Sequence, residues 1–148
     1  MITLVALLGA ALLGVPVQQE VDPRGRVYVT EGSSLVRIAP RGRRSTVAVF
    51  PWAGPLALRP VASGVARGPD GAFYVGETTF VPGRARLWRV VPGQEPQVYA
   101  AGLTAVVDVR WSPGGRLSVR ERDGSVLRLY PKGRSVRESE AQTGHAGG

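Results

Sequence analysis

Gly68-Pro-Asp-Gly-Ala-Phe-Tyr-Val-Gly-Glu77 is one of three copies of a single pattern. The other two read Asp22-Pro-Arg-Gly-Arg-Val-Tyr-Val-Thr-Glu31 and Ser112-Pro-Gly-Gly-Arg-Leu-Ser-Val-Arg-Glu121, so that Pro23, Pro69 and Pro113 recur after 46 and 44 residues. A second matched segment follows each copy: Leu35-Val-Arg-Ile-Ala-Pro40, Leu87-Trp-Arg-Val-Val-Pro92 and Val126-Leu-Arg-Leu-Tyr-Pro131. A period of about 45 residues, with short alternating apolar runs parted by turn residues, is the pattern of a four-stranded propeller blade. The predicted class is all-β: a partial β-propeller of about three four-stranded antiparallel blades, readable as a fragment of a six-bladed ring.

The strands are legible inside the middle copy. Val61 to Arg67 opens it, Pro69-Asp-Gly71 turns it, and Phe73 to Glu77, Arg86 to Val91 and Gln97 to Ala101 complete it. The third copy opens at Thr104 and turns at Asp123-Gly124, a two-residue hairpin signal. The first copy supplies Arg26 to Glu31, Leu35 to Ala39 and Thr46 to Phe50. Its opening strand has to come from Val15 to Val21, which overlaps an apolar leader, so the first blade is expected to be incomplete. The predicted organisation is a leader over 1–20, blades over about 21–58, 59–102 and 103–138, and a flexible tail over 139–148.

Residues 1 to 17 carry no charge and are rich in Leu, Val and Ala. Such a run has the length of a secretory apolar core and is short for a membrane span, so a cleaved signal peptide and a secreted protein with no stable membrane span are expected. Cleavage is expected between about Val15 and Glu20.

Composition narrows the chemistry. With 20 glycines, 12 prolines and 43% hydrophobic residues in 148, the chain is too turn-rich for a helical bundle and too apolar for disorder. Cysteine and asparagine are absent and His145 is the sole histidine, which excludes thiol nucleophiles, a Ser-His-Asp triad and two-histidine metal sites. The net charge of +8 comes from 18 arginines and Lys132 against 11 acids. The arginines are scattered from Arg24 to Arg137 without aromatic interleaving, so no nucleic-acid partner is expected.

One acid and one arginine recur in every blade. If each hairpin sets them diagonally across two strands, Glu31 pairs with Arg37, Glu77 with Arg89 and Glu121 with Arg128, as structural ion pairs. Asp108 is the only acid on a predicted inner strand beyond the leader and is the candidate ligand-binding or channel-facing residue. No catalytic residue, cofactor or metal is assigned.

The run from Val61 to Glu77, followed by Ala85-Arg-Leu-Trp-Arg-Val-Val-Pro-Gly93, Val98-Tyr-Ala100 and Val106-Val-Asp-Val109, resembles the ScyD/ScyE family of secreted, propeller-like proteins. The resemblance extends over roughly 22–135 and takes in the segment from Arg41 to Pro51. It implies architecture and export, and it brings no catalytic residues with it. The function expected is therefore that of an extracellular binding or scaffold protein rather than an enzyme. The alternatives are a metal-dependent lactonase-type hydrolase, whose site would need Asp and Glu at the channel mouth, and a truncated chain without a function of its own. Three blades do not close a ring. Val27, Val29, Phe73 and Leu117 are then candidates for uncovered surface, and a homodimer of two head-to-tail copies is the simplest way to complete six blades.

Overall fold

Short apolar runs, punctuated by glycine turns, fold the described residues into twelve strands arranged as three antiparallel sheets. The computed structural model describes residues 18–130 and 134–138. The first sheet holds β1 (Gln19–Val21), β2 (Val27–Glu31), β3 (Ser34–Ile38) and β4 (Arg44–Val49). A 3-10 turn at Leu56–Leu58 leads to the second, with β5 (Val61–Arg67), β6 (Phe73–Thr78), β7 (Ala85–Val90) and β8 (Gln97–Leu103). The third holds β9 (Val106–Trp111), β10 (Leu117–Glu121), β11 (Val126–Tyr130) and β12 (Arg134–Glu138). Every sheet is a simple meander in chain order.

One turn recurs between the first and second strands of each sheet. The N–H groups of Gly25, Gly71 and Gly115 donate to the carbonyls of Asp22, Gly68 and Ser112 at 3.0, 2.9 and 3.0 Å. All three glycines sit at φ of 77 to 82°, a left-handed conformation in which a Cβ would be strained. The repeated glycine of the sequence pattern is thus a backbone requirement.

The sheets pack face to face. Tyr28, Leu35 and Phe50 of the first meet Val65, Phe73, Val75 and Trp88 of the second, with Tyr28 and Phe73 stacked at a ring separation of 4.0 Å. The other face of the second sheet, with Ala66, Tyr74 and Leu87, packs on Val106, Val109, Leu117 and Val119 of the third. Approach is closest at Gly76, where an added Cβ would lie 2.4 Å from a Val106 methyl.

Two expectations are corrected here. The first sheet is a complete four-stranded unit, because β1 begins at Gln19; the expected leader boundary at residue 20 cuts through this strand. Leader residues 1–17 and tail residues 139–148 lie outside the described residues. Val27, Val29, Phe73 and Leu117 are not uncovered: all four are buried, the last two inside the interfaces between sheets. Among the described residues no helix is long and apolar enough to cross a membrane.

Candidate functional site

The C-terminal ends of the three inner strands, β1, β5 and β9, converge with the turns that follow them. Glu20, Val21, Arg67, Gly68, Pro69, Trp111, Ser112, Pro113 and Gly115 line an open hollow of about 430 Å³ at this point. Burial pushes the Glu20 carboxyl above its ordinary value, against the opposing pull of the Arg67 backbone N–H and the Arg67 charge. Trp111 forms a wall, edge-on to Tyr74 at 4.9 Å, and its buried indole N–H has no hydrogen-bond partner among the described residues. An aromatic wall between a guanidinium and a half-buried carboxyl suits a small planar ligand with one charged end. A second hollow, of about 370 Å³, opens where Asp22, Tyr28, Arg67 and Phe73 meet, but its carboxylate is already engaged.

The hollow does not include Asp108. That residue lies on β9, opposite Arg120, and its Oδ2 is 2.7 Å from Nε of Arg110 on the same strand. The acid that reaches the hollow is Glu20, which the sequence reading assigned to the leader. Among the described residues, no three His, Asp or Glu side chains gather closely enough to hold a metal ion.

The recurring Glu and Arg residues do not pair as expected, and the reason is register. Arg37 stands opposite Tyr28, Arg89 opposite Tyr74 and Arg128 opposite Ser118. Each arginine therefore faces away from the glutamate three residues further along the partner strand. The loops differ by one residue from those the diagonal pairing requires: in place of a three-residue loop over Gly32 to Ser34, Glu31 pairs with Ser34 across two residues, and in place of the two-residue Asp123-Gly124 turn, Glu121 N–H donates to the Ser125 carbonyl across three. A one-residue change in register turns every side chain to the opposite face.

The actual partners are specific. Glu77, fully buried, receives the Arg86 backbone N–H at 2.9 Å and its Nε and Nη2 at 2.8 and 2.9 Å. The Arg86 guanidinium also donates to the Pro51 carbonyl at 2.6 Å and lies 4.4 Å from the Trp88 ring centroid. In the third sheet the equivalent Glu121 accepts from the Thr104 and Ala105 N–H groups and the Ser125 hydroxyl. Glu31, exposed, pairs with Arg44.

A second repeated constellation escaped the sequence reading. Asp22 accepts from the Tyr28 hydroxyl at 3.0 Å, the Arg26 guanidinium, and the Arg24 and Arg26 N–H groups. Asp70 accepts from the Tyr74 hydroxyl at 3.0 Å and from Arg89 at 2.9 Å. Burial raises both carboxyls, but the donated hydrogen bonds outweigh it and hold Asp22 at about 2 and Asp70 below its ordinary value. The signal was present as the shared Tyr at equivalent positions of two copies, with an Asp upstream of each.

Gln18 ties the inner strands together. Its amide oxygen accepts from the N–H groups of Val65 at 3.2 Å and Val109 at 3.0 Å, and its amide nitrogen donates to the Val109 carbonyl. One side chain just before β1 thus satisfies backbone groups on β5 and β9.

Solved structures share this arrangement of sheets. A catalytically inactive virginiamycin B lyase from Staphylococcus aureus, solved with quinupristin, superposes with a TM-score of 0.63 at 16% identity over 83% of this chain and 41% of its own. The fold is a partial β-propeller. A protein from Thermus thermophilus assigned as a glucose dehydrogenase-type oxidoreductase gives 0.62 at 20% identity over 90% of this chain and 49% of its own. One assigned as a gluconolactonase gives 0.56 at 16% over 81% and 46%. The chain spans less than half the length of each of these proteins. No family model matches the chain, and no curated protein matches it.

Proposed function

We propose that this partial propeller is a non-enzymatic binding module of ScyD/ScyE type that works outside the cell, and that the hollow between Glu20, Arg67 and Trp111 holds its ligand. The observation that carries the reading is the convergence of three inner strands on one aromatic wall with an unsatisfied indole N–H. The other well-placed acids serve the scaffold: Asp22, Asp70, Glu77 and Glu121 each accept several hydrogen bonds from nearby backbone or side chains. With a net charge of +8 and Arg67 at the rim, a small aromatic anion is the favoured class.

The test is titration with naphthalene-1-sulfonate, followed on the indole N–H resonance of Trp111, with naphthylmethylammonium as the charge control. The sulfonate is expected to shift that resonance and to lose its effect in Arg67→Ser. Silence at millimolar sulfonate would overturn the reading, as would hydrolysis of gluconolactone that depends on added calcium or zinc.

A further inference from the structure

The second hollow, of about 370 Å³, lies between the first and second sheets and gathers charge mainly of one sign. Arg24 and Arg26 reach it from the turn that precedes β2, and Arg67 from the end of β5. Arg67 also lines the first hollow, where the Glu20 charge attracts it. Its Nη2, however, would lie 3.7 Å from a Cβ on Gly71, and Gly71 lines the second hollow alone. The one acid here is Asp22, so three guanidinium groups against one carboxylate leave two positive charges.

That carboxylate has no capacity left. Its Oδ1 accepts from the Arg24 and Arg26 N–H groups at 2.9 and 3.0 Å, and its Oδ2 accepts from Arg26 Nε at 2.5 Å and the Tyr28 hydroxyl at 3.0 Å. Two hydrogen bonds at each oxygen fill the acceptor sites of a carboxylate, which disfavours a cation as the occupant. Arg26 engages Asp22 through Nε, and among the described residues the side chains of Arg24 and Arg67 make no hydrogen bond or ion pair. The excess of charge belongs to this copy of the turn. At the position of Arg24 the second sheet has Asp70, whose carboxylate holds Arg89, and the third has Gly114. An acid with a partner is thus exchanged for a base without one.

We propose that the second hollow binds a doubly charged tetrahedral oxyanion of the phosphate or sulfate class. Two positive charges match such an ion, and guanidinium groups arriving from two separate sheets suit an anion whose oxygens point in several directions. A planar carboxylate would satisfy one guanidinium fork and leave the others unanswered. The site is independent of the aromatic ligand proposed for the first hollow.

The probe is inorganic phosphate, titrated into the full chain at low ionic strength and followed on the backbone N–H resonance of Gly71, with sulfate and acetate as comparison ions. Phosphate and sulfate are expected to shift that resonance, and acetate to bind at least about tenfold more weakly. Arg24→Ser keeps the backbone N–H that Asp22 needs and is expected to weaken phosphate binding by about tenfold or more, whereas Arg41→Ser, at an exposed residue outside the hollow, weakens it by about twofold or less. Arg67→Ser should show a loss of the same sign as Arg24→Ser. The response of Trp111 to naphthalene-1-sulfonate should survive Arg24→Ser, so either reading can fail without the other. Silence at millimolar phosphate would overturn the proposal. Equal losses in Arg24→Ser and Arg41→Ser would mean diffuse attraction to a basic protein and overturn it as well. So would acetate binding as tightly as phosphate, or phosphate that shifts the Trp111 indole resonance and leaves Gly71 unmoved.

Discussion

The carboxylate of Asp70 occupies the space that a side chain on Gly68 would fill: a Cβ at residue 68 would lie 2.6 Å from Asp70 Oδ1. The first sheet solves the same problem the other way round. There Asp22 stands at the position of Gly68, Arg24 stands at the position of Asp70, and the carboxylate still reaches the tyrosine hydroxyl at 3.0 Å. Gly68→Ala is therefore expected to destabilise the fold by about 1–3 kcal/mol through overpacking against Asp70 and Tyr74. Chemical denaturation measures it, and an unchanged midpoint would show that the turn gives way freely.

Acid sensitivity should come from the two aspartates. Asp22 is held at about 2 against an ordinary value of 3.8, and Asp70 is shifted in the same direction. A depressed folded value means that the stabilisation is complete above the ordinary carboxylate range and is lost as pH falls through it towards about 2. The melting temperature should drop across that window, and Asp22→Asn should flatten the drop while lowering stability at neutral pH.

Glu20 has the opposite sign. Its raised value means that the carboxyl protonates above its ordinary 4.5. Binding of naphthalene-1-sulfonate, whose own charge does not titrate in this range, should tighten as pH falls and Glu20 loses its negative charge. In Glu20→Gln the pH dependence should vanish, and calorimetry at three pH values decides the matter.

The Glu77–Arg86 pair and the Glu31–Arg44 pair should behave very differently. Arg86→Ala leaves the fully buried Glu77 carboxylate without its partner and is expected to cost about 3–5 kcal/mol. Arg86→Lys should recover only part of that, because an ammonium cannot reproduce the two-pronged contact. Arg44→Ala, on an exposed pair, should change stability by about 0–1 kcal/mol. Equal costs at both sites would show that burial does not set the worth of these pairs.

Gln18 offers a test of the proposed export. Gln18→Ala removes hydrogen bonds to β5 and β9 and is expected to cost about 1–3 kcal/mol by leaving buried backbone groups of Val65 and Val109 unsatisfied. A leader peptidase that cut beyond Gln18 would inflict the same loss, so the mature N-terminus is expected at or before this residue. Sequencing of secreted protein that starts at Gln19 or later would contradict that.

What the amino-acid sequence determined by itself is local and periodic. Three copies of a strand-turn-strand pattern, a glycine at each inner turn and alternation of apolar residues placed β5 at Val61 to Arg67 and the rest of β2 to β11 within a few residues. What only the tertiary structure decided depends on single residues of register or on contacts far apart in the chain. Loops one residue shorter or longer than expected turned Arg37 and Arg128 away from the glutamates, and the pairing of Tyr74 with Arg89 turned Arg89 away from Glu77, which Arg86 holds instead. The hollow gathers Glu20, Arg67 and Trp111 from three sheets, and Gln18 reaches Val109 across 91 positions of sequence. Strand periodicity is written in neighbouring residues, whereas the face that a side chain presents follows from hydrogen-bond closure of its loop, and the partner it meets follows from how separate sheets stack.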